Sequence, residues 1–461
     1  MNSLSLRRYI QIFWRHLTIV CLGIFFIASF LWYFFPTHAT CCDASDYWKI
    51  SESLDGIRSS HYRTFFYPSL IAFVRYLPNH FKISAEIQYY FLSVVQLLLH
   101  LVAVVALSYS TYIITNNKYI TLCTTYIYGL NIFIIAYTNQ ILTDGVALSF
   151  LVITIAFFVS ITSSVKSNIL LVMTFGLLAG LLPMIRPALF LVSISLYIMF
   201  VVLHIYRMYK DKINVLSLIA IFLSVLAFLV PLTVQVVINP QLFDNIRGLG
   251  KGQYEFGAYM YKFLSIVEPS PAYGYVAYNY PIKQLIDICK ASNESSDCIK
   301  QVFTSHPLMA LGHYATKIFT LNDQVYLTTY IHNFFTPDRY LWRLINCIFL
   351  ASSILGCGLA VKKAGRNVRK YFFVSLVIII ILTSLLLPLI ASIPEERYGI
   401  HFHPFFALST SYFLYSCFAN NKFTLAELSK IPTKILLIFF ALALLLFLFS
   451  LYIESTFGIR M

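Results

Sequence analysis

Apolar runs of about 20 residues recur along most of the chain, and a run of that length can cross a bilayer as one helix. Of the 461 residues, 59% are hydrophobic and only 11% are charged. A soluble domain cannot bury that much apolar surface. The sequence therefore predicts an all-α polytopic membrane protein with about 11 transmembrane helices. The runs are His16–Phe35, Glu86–Thr115, Tyr119–Tyr137, Val146–Thr162, Ile169–Ile185, Pro187–Ile205, Ile213–Ile238, Leu341–Val361, Tyr371–Ile390, Pro404–Phe418 and Ile435–Ile453.

The basic residues indicate how the chain is oriented. Arg7, Arg8 and Arg15 precede the first run, and further Lys and Arg residues fall in alternate loops. Because cytoplasmic loops are enriched in Lys and Arg, we expect a cytoplasmic N-terminus, and no small-residue cleavage site follows the first run. This distribution explains the net charge of +14 without a nucleic-acid partner. The short chain without additional luminal domains favours a bacterial inner membrane.

The segment between the seventh and eighth runs is about 100 residues long, which is too long for a simple connection. We expect residues 1–238 to form an N-terminal transmembrane module, 239–340 an external helical cap, and 341–461 the C-terminal transmembrane helices. Within the cap, Cys289 and Cys298 bracket a turn-like stretch. These two thiols are candidates for a local disulfide in an oxidising compartment.

The polar segment that follows the first run, within the external loop 36–85, holds the strongest candidates for chemistry. Asp43 and Asp46 begin a short amphipathic helix that Gly56 closes, and a second helix follows a polar loop that contains His61 and Arg63. The apolar positions of the first helix are Tyr47, Ile50, Leu54 and Ile57. We expect both helices to lie along the membrane surface.

The order of residues in this loop resembles the first external loop of the C-type polyprenyl-phosphate-sugar glycosyltransferases, which include protein O-mannosyltransferases and lipid A aminoarabinose transferases. The residues that carry the resemblance are Asp43, Tyr47, Ser51, Leu54, Gly56, Arg63 and Tyr67-Pro68. In that family an acidic residue of this loop is the catalytic base. The resemblance gives this role to Asp43, with Asp46 as the alternative, and supporting roles to Tyr47, His61 and Tyr67.

Arg186 and Asp144 are charged residues at the ends of apolar runs, on the same side of the predicted topology as Asp43. Arg186 is either an arginine that extends to the membrane interface or a phosphate ligand that binds by paired hydrogen bonds. The pattern G-x-x-x-G-L, followed by Arg186-Pro187, also resembles the corresponding helix pair of the superfamily. Asp144 either favours the positive N-terminal end of its helix or helps to position the acceptor or a metal ion, as the resemblance implies.

The loop before the tenth run, IPEERYGIHFHP, is the remaining charged candidate. It resembles the E-x-R-Y signature near the C-terminal end of many bacterial members of the superfamily. The signature fits either Glu395 with Arg397 or the adjacent pair Glu396-Arg397. The candidates are Glu396, Arg397, Tyr398 and His401, with Arg397 as a further phosphate ligand, although salt bridging or helix capping explains such residues equally well. His401 and His403 are two residues apart, a spacing that does not favour a metal pair on a helix.

The sequence and the resemblance together predict an inverting glycosyltransferase that moves a sugar from a polyprenyl-phosphate donor to a hydroxyl acceptor on a glycan, lipid or protein. Arg63, Arg186 and Arg397 would bind the donor phosphate, and Asp43 or Asp46 would accept the proton. The resemblance makes no cofactor certain, and a divalent cation is the candidate. The alternatives are a polymerase or ligase of lipid-linked glycans and, less favoured, a flippase or transporter.

Overall fold

The computed structural model describes residues 3–34, 42–59, 63–81, 83–163, 168–211, 215–239, 304–322, 339–364, 382–384, 399–418 and 433–456. These residues form helices with short connections, and none of them is in a strand. The prediction of an all-α polytopic membrane protein is confirmed. Most of the predicted cap lies outside the described residues, so the division into three domains stays a prediction.

The helices are numbered in chain order over the described residues. They are α1 (Ser3–Phe34), α2 (Cys42–Ile50), α3 (Leu54–Ser59), α4 (Phe66–His80), α5 (Ala85–Thr115), α6 (Lys118–Gly129), α7 (Ile132–Thr138), α8 (Thr143–Ser163), α9 (Ile169–Ile185), α10 (Phe190–Asp211), α11 (Val215–Ile238), α12 (Pro307–Asn322), α13 (Arg339–Ala364), α14 (His403–Phe418) and α15 (Thr433–Thr456). Single 3-10 turns precede α10 and α14, at Pro187–Leu189 and Ile400–Phe402.

Seven of the described helices are long and apolar enough to cross a membrane, and α6 with α7 makes eight if that bent pair is one span. The predicted count of eleven is not confirmed. Helix α9 is apolar but shorter than the other candidates, and α14 has 16 residues. The predicted run Tyr371–Ile390 lies mostly outside the described residues.

The run predicted as one span over Tyr119–Tyr137 is broken between α6 and α7, which meet at an angle of 48°. Asn131 causes the break because its side-chain oxygen accepts hydrogen bonds from the N–H groups of Phe133 (3.1 Å) and Ile134 (3.3 Å). An asparagine in this role caps the start of a new helix. The break places the end of α7 and the following loop against α5, where Ser93 and Gln96 bind the loop.

The first amphipathic helix was predicted to run from Asp43 to Gly56, and this prediction is wrong. The chain leaves the helical path after Ile50 and restarts at Leu54, and Gly56 lies inside α3. Ser53 causes the restart, because its hydroxyl accepts the N–H of Gly56 at 2.9 Å and so caps α3. The described residues of the first loop therefore form three short helices, α2, α3 and α4, instead of two.

Helices α9 and α11 pack with their backbones unusually close together. A Cβ atom at Gly176 would overlap the carbonyl oxygen of Ser224, and one at Gly180 would overlap that of Phe228. Small residues four apart permit such backbone approach between helices in a membrane. This packing fixes the end of α9, where Arg186 follows, against the end of α11.

The functional candidates collect at one end of the helices. Helices α1, α9 and α11 end there, α5 and α8 begin there, and the first-loop helices α2 to α4 cover it. One core cluster joins the first-loop helices to α5, α8, α9 and α10. A second core joins α1, α5, α6 and α7. The apolar packing thus brings residues that are distant in sequence to a single polar region.

Candidate functional site

Helix α2 and the residues before α4 place a carboxylate, a tyrosine and an arginine together. Arg63 Nη2 donates to Asp46 Oδ2 at 3.5 Å, and the guanidinium lies 4.8 Å from the centre of the Tyr47 ring. The Asp46 side chain is 58% exposed and that of Arg63 is 22% exposed. An exposed carboxylate held by a cation can receive a ligand from outside the protein, while Tyr47 orients the guanidinium.

A second tyrosine connects the first loop to the transmembrane helices. The rings of Tyr47 and Tyr67 meet edge to face at 5.0 Å, and the Tyr67 hydroxyl donates to Gln96 Oε1 at 3.3 Å. Burial raises the pKa of Tyr67 well above its ordinary value, and Tyr47 raises it further. Tyr67 is therefore neutral and serves as a hydrogen-bond donor.

Gln96 of α5 bonds both to Tyr67 and to the loop between α7 and α8. Its side-chain Nε2 donates to the carbonyl oxygen of Gln140 at 2.9 Å, and Ser93 Oγ donates to the carbonyl oxygen of Asn139 at 3.3 Å. Both loop residues are buried. Polar side chains of α5 thus satisfy the backbone of a buried loop, which would otherwise lose its hydrogen bonds to water.

This loop leads into Asp144, which pairs with Arg186 across the interior. Asp144 lies in the first turn of α8, Arg186 follows the last residue of α9, and Arg186 Nη1 forms an ion pair with Asp144 Oδ1. The two residues are 1% and 7% exposed. Arg186 is therefore not an arginine extended into the interface. Burying two charges is costly unless each compensates the other, so the pair is held in one arrangement.

The last turn of α11 supports the first loop from the opposite side. Gln235 Oε1 accepts the N–H of Phe65 at 2.9 Å, and Asn239 Nδ2 donates to the carbonyl oxygen of Ile57 at 3.5 Å. Because α11 packs closely on α9, the residues around Arg63 are positioned by the same helix pair that positions Arg186. The sequence did not identify these contacts.

Arg75 of α4 links the first-loop helices to each other and to α5 by hydrogen bonds. Its guanidinium donates to the carbonyl oxygen of Trp48 (3.1 Å), to Ser51 Oγ (2.9 Å) and to Gln88 Oε1 (3.3 Å). It also lies 4.1 Å from the centre of the Trp48 ring and 3.8 Å from Glu52 Oε1. Only the planar fork of an arginine can make these bonds together, so Arg75 holds α2 in place.

Replacing Arg75 with Met is expected to loosen α2 and α3 without removing any charge that faces the candidate site. The loss of charge-assisted hydrogen bonds should cost about 1.5–3 kcal/mol of stability in this region. Hydrogen–deuterium exchange of the amides in 42–59 measures the effect, and the exposed Arg58 supplies the control variant Arg58→Met. Equal exchange in the two variants would contradict the role of Arg75.

The structure describes only some of the remaining predicted site residues. Asp43 lies in the first turn of α2, but its side chain is not among those described, and His61, Glu396, Arg397 and Tyr398 lie outside the described residues altogether. His401 is buried in the 3-10 turn that packs beside α8. The structure thus joins Asp46, Tyr47, Arg63 and Tyr67 through contacts, pairs Asp144 with Arg186, and leaves the other roles as predictions.

No group of three or more His, Cys, Asp or Glu side chains that could hold a metal ion occurs among the described residues. The side chains of Asp43 and Glu396 lie outside this set, so a divalent cation stays a prediction. The Cys289–Cys298 disulfide likewise falls on residues that the structure does not describe.

Two solved structures that this chain resembles are of an archaeal oligosaccharyltransferase. One is AglB from Archaeoglobus fulgidus in complex with an inhibitory peptide and a dolichol-phosphate, at 10% identity and a TM-score of 0.46 over 97% of this chain and 56% of that one. The other is the A. fulgidus oligosaccharyltransferase in the apo form, at 11% identity and a TM-score of 0.43 over 94% and 55%. The chain thus spans little more than half the length of these proteins.

A likeness at such identity and TM-score assigns no residue role and no activity to this chain. Neither protein-family models nor curated protein sequences match the chain. The residues in contact around Arg63 and Arg186 therefore carry the functional argument.

Three contributors to this site were not singled out from the sequence, namely Arg75, Gln96 and Gln235. Each has a sequence signal that could have identified it. Gln96 and Gln235 are polar amides inside apolar runs, and a polar side chain at membrane depth needs a partner. Arg75 interrupts the apolar run of α4 on the face opposite its exposed aromatic residues Phe73 and Tyr76.

Proposed function

We propose that this protein is an inverting glycosyltransferase that moves a sugar from a polyprenyl-phosphate donor to a hydroxyl acceptor at the external face of the membrane. The observation that supports the proposal most is a continuous set of contacts from Asp46 through Arg63, Tyr47, Tyr67 and Gln96 to the loop before Asp144. That set contains an accessible carboxylate and the Arg63 guanidinium, and the loop at its end continues into Asp144, which pairs with the Arg186 guanidinium.

The two arginines suit the leaving group of this reaction. When the bond between the anomeric carbon and the phosphate oxygen breaks, the electron pair stays on the phosphate, which becomes a more highly charged anion. Preorganised cations lower the energy of such a developing charge. Arg63 and Arg186 supply this charge in the proposal, and Arg397 remains a third candidate on the sequence argument.

A carboxylate of α2 takes the proton. The acceptor oxygen attacks the anomeric carbon from the face opposite the phosphate, the new C–O bond forms, and the hydroxyl proton moves to the carboxylate. A single base is enough for inversion. Asp46 is accessible to an acceptor and Arg63 pairs with its ionised form, whereas the resemblance favours Asp43, one helical turn earlier.

The acceptor in this proposal is a glycan or lipid of the cell surface, with a protein as the further option. The donor's lipid tail lies among the transmembrane helices, whose outer surfaces expose many large apolar side chains. The predicted orientation puts the first loop on the periplasmic side of a bacterial inner membrane, since the basic loops fall on the other side.

Asp43→Asn and Asp46→Asn, made separately, test which carboxylate is the base. The variant that removes the base should transfer sugar about 10²–10⁴-fold more slowly, because an amide cannot accept the proton. The measurement is transfer of radiolabelled sugar from a polyprenyl-phosphate donor to membrane glycans in vesicles that contain the purified protein.

Asp55→Asn, at an exposed carboxylate of the neighbouring helix α3, is the matched control and should transfer normally. If Asp43→Asn and Asp46→Asn both transfer at the wild-type rate, neither carboxylate is the base and this mechanism is wrong. If the wild-type protein transfers no sugar from any polyprenyl-phosphate donor offered, the proposed function itself is contradicted.

A further inference from the structure

Two buried glutamine side chains beside the candidate site have amide groups that no acceptor of the described residues satisfies. Gln235 is fully buried and Gln140 is 8% exposed. Among the described residues, neither Gln235 Nε2 nor Gln140 Nε2 has a hydrogen-bond partner. A buried donor without an acceptor is unfavourable in a folded protein, and each such group needs a reason.

Both glutamines belong to the elements that hold the two arginines. Gln235 Oε1 accepts the N–H of Phe65, so the Gln235 side chain contacts the backbone two residues after Arg63. The carbonyl oxygen of Gln140 is bound by Gln96, which also binds Tyr67, and Gln140 lies four residues before Asp144, the partner of Arg186. The unsatisfied donors therefore flank the site from the α11 side and from the α7–α8 loop.

Other amides of the same region differ from these two. Gln96 and Gln88 each use both ends of the side chain within the protein, Gln96 between Tyr67 and Gln140 and Gln88 between Arg75 and the carbonyl oxygen of Ile83. Those two amides are structural. The free N–H groups at Gln140 and Gln235 are thus a property of these positions and not of buried glutamines in general.

We propose that Gln140 and Gln235 donate hydrogen bonds to the phosphate oxygens of the lipid-linked ligand, an assignment that rests on the proposed function and adds two binding residues to it. A phosphate brings several strong acceptors and no obligatory donor, which matches two amides and two guanidiniums. Hydrogen bonds from neutral donors to an anion are stronger than those to a neutral oxygen. The amides therefore select the phosphate over an uncharged lipid alcohol.

The test uses the full-length protein in lipid nanodiscs and compares two probes, a polyprenyl phosphate without sugar and the matching polyprenol. Gln140→Met and Gln235→Met keep the side-chain length and remove the donors. Each should weaken binding of the phosphate by about tenfold, the loss expected for one hydrogen bond to a charged group. Binding of the polyprenol should not change.

Gln88→Met is the matched control, because it makes the same change at a buried amide whose partners are all protein groups. It should leave the preference for phosphate over alcohol intact. Gln235→Glu keeps the acceptor for the Phe65 N–H and serves if Gln235→Met fails to fold, while Gln140 makes no side-chain hydrogen bond within the described residues and should tolerate substitution. The folding of each variant is checked by its thermal unfolding.

The outcomes separate this inference from the function on which it rests. If the wild type prefers the phosphate and the Gln140 and Gln235 variants keep that preference, the inference is overturned and the proposed function stands. Equal weakening by Gln88→Met would also overturn it, because the effect would then be a general loosening. If the wild type binds polyprenol as tightly as polyprenyl phosphate, the proposed function fails and the inference fails with it.

Discussion

Arg186→Met is expected to destabilise the protein by about 3–5 kcal/mol and to lower the rate of sugar transfer by about 100-fold or more. The stability falls because Asp144, which is 1% exposed, would keep a buried charge without its partner. The rate falls because a cation that stabilises the leaving phosphate is removed. Thermal unfolding in nanodiscs and the radiolabel transfer assay measure the two effects.

The double variant Arg186→Met with Asp144→Leu separates the two causes. Replacing a buried ion pair by apolar side chains is often neutral for stability, so the double variant should unfold near the wild-type temperature. Its transfer rate should stay as low as that of Arg186→Met. A double variant that transfers at the wild-type rate would show that Arg186 serves only as the partner of Asp144.

Gly180→Leu is expected to cost about 3 kcal/mol or more and to disrupt the site from a distance. A Cβ at Gly180 would overlap the carbonyl oxygen of Phe228, and the backbone of α11 cannot rotate away as a flexible side chain could. Helices α9 and α11 must separate, which moves Arg186 relative to Gln235. The protein should then lose both thermal stability and affinity for polyprenyl phosphate.

Gly358→Leu is the matched control, since a Cβ at Gly358 meets no atom of the described residues within 4 Å. Both variants add the same side chain to a glycine of an apolar helix, and only Gly180 faces a neighbouring backbone. Gly358→Leu should unfold and bind as the wild type does. If the two variants behave alike, close packing of α9 on α11 does not govern the position of the site.

Local patterns were sufficient for much of the fold. The apolar runs predicted the long helices because the hydrophobicity of each segment by itself decides whether that segment can cross the bilayer. The polar segment after the first run likewise predicted short helices that carry Asp46 and Tyr47. The exceptions are at Ser53 and Asn131, where one capping side chain outweighs the apolar periodicity that continues past it.

The composition of the site was predicted only in part. The sequence singled out Asp144 and Arg186 as charges at the ends of apolar runs, but it assigned a separate role to each and did not pair them. Their pairing arises because α8 and α9 pack together and bring the start of one helix beside the end of the other. Arg186 was expected either at the membrane interface or on a phosphate, and the packing gives it a buried carboxylate partner.

The sequence by itself determined the membrane class, the position of most described helices and the residue types available for chemistry, because these follow from the hydrophobicity and spacing of neighbouring residues. Only the tertiary structure decided which polar groups meet. The partners of Gln96, Gln140 and Gln235 cannot be read from the chain, because their hydrogen bonds depend on contacts between segments far apart in sequence. Such contacts are selected by the packing of whole helices, which no local pattern encodes.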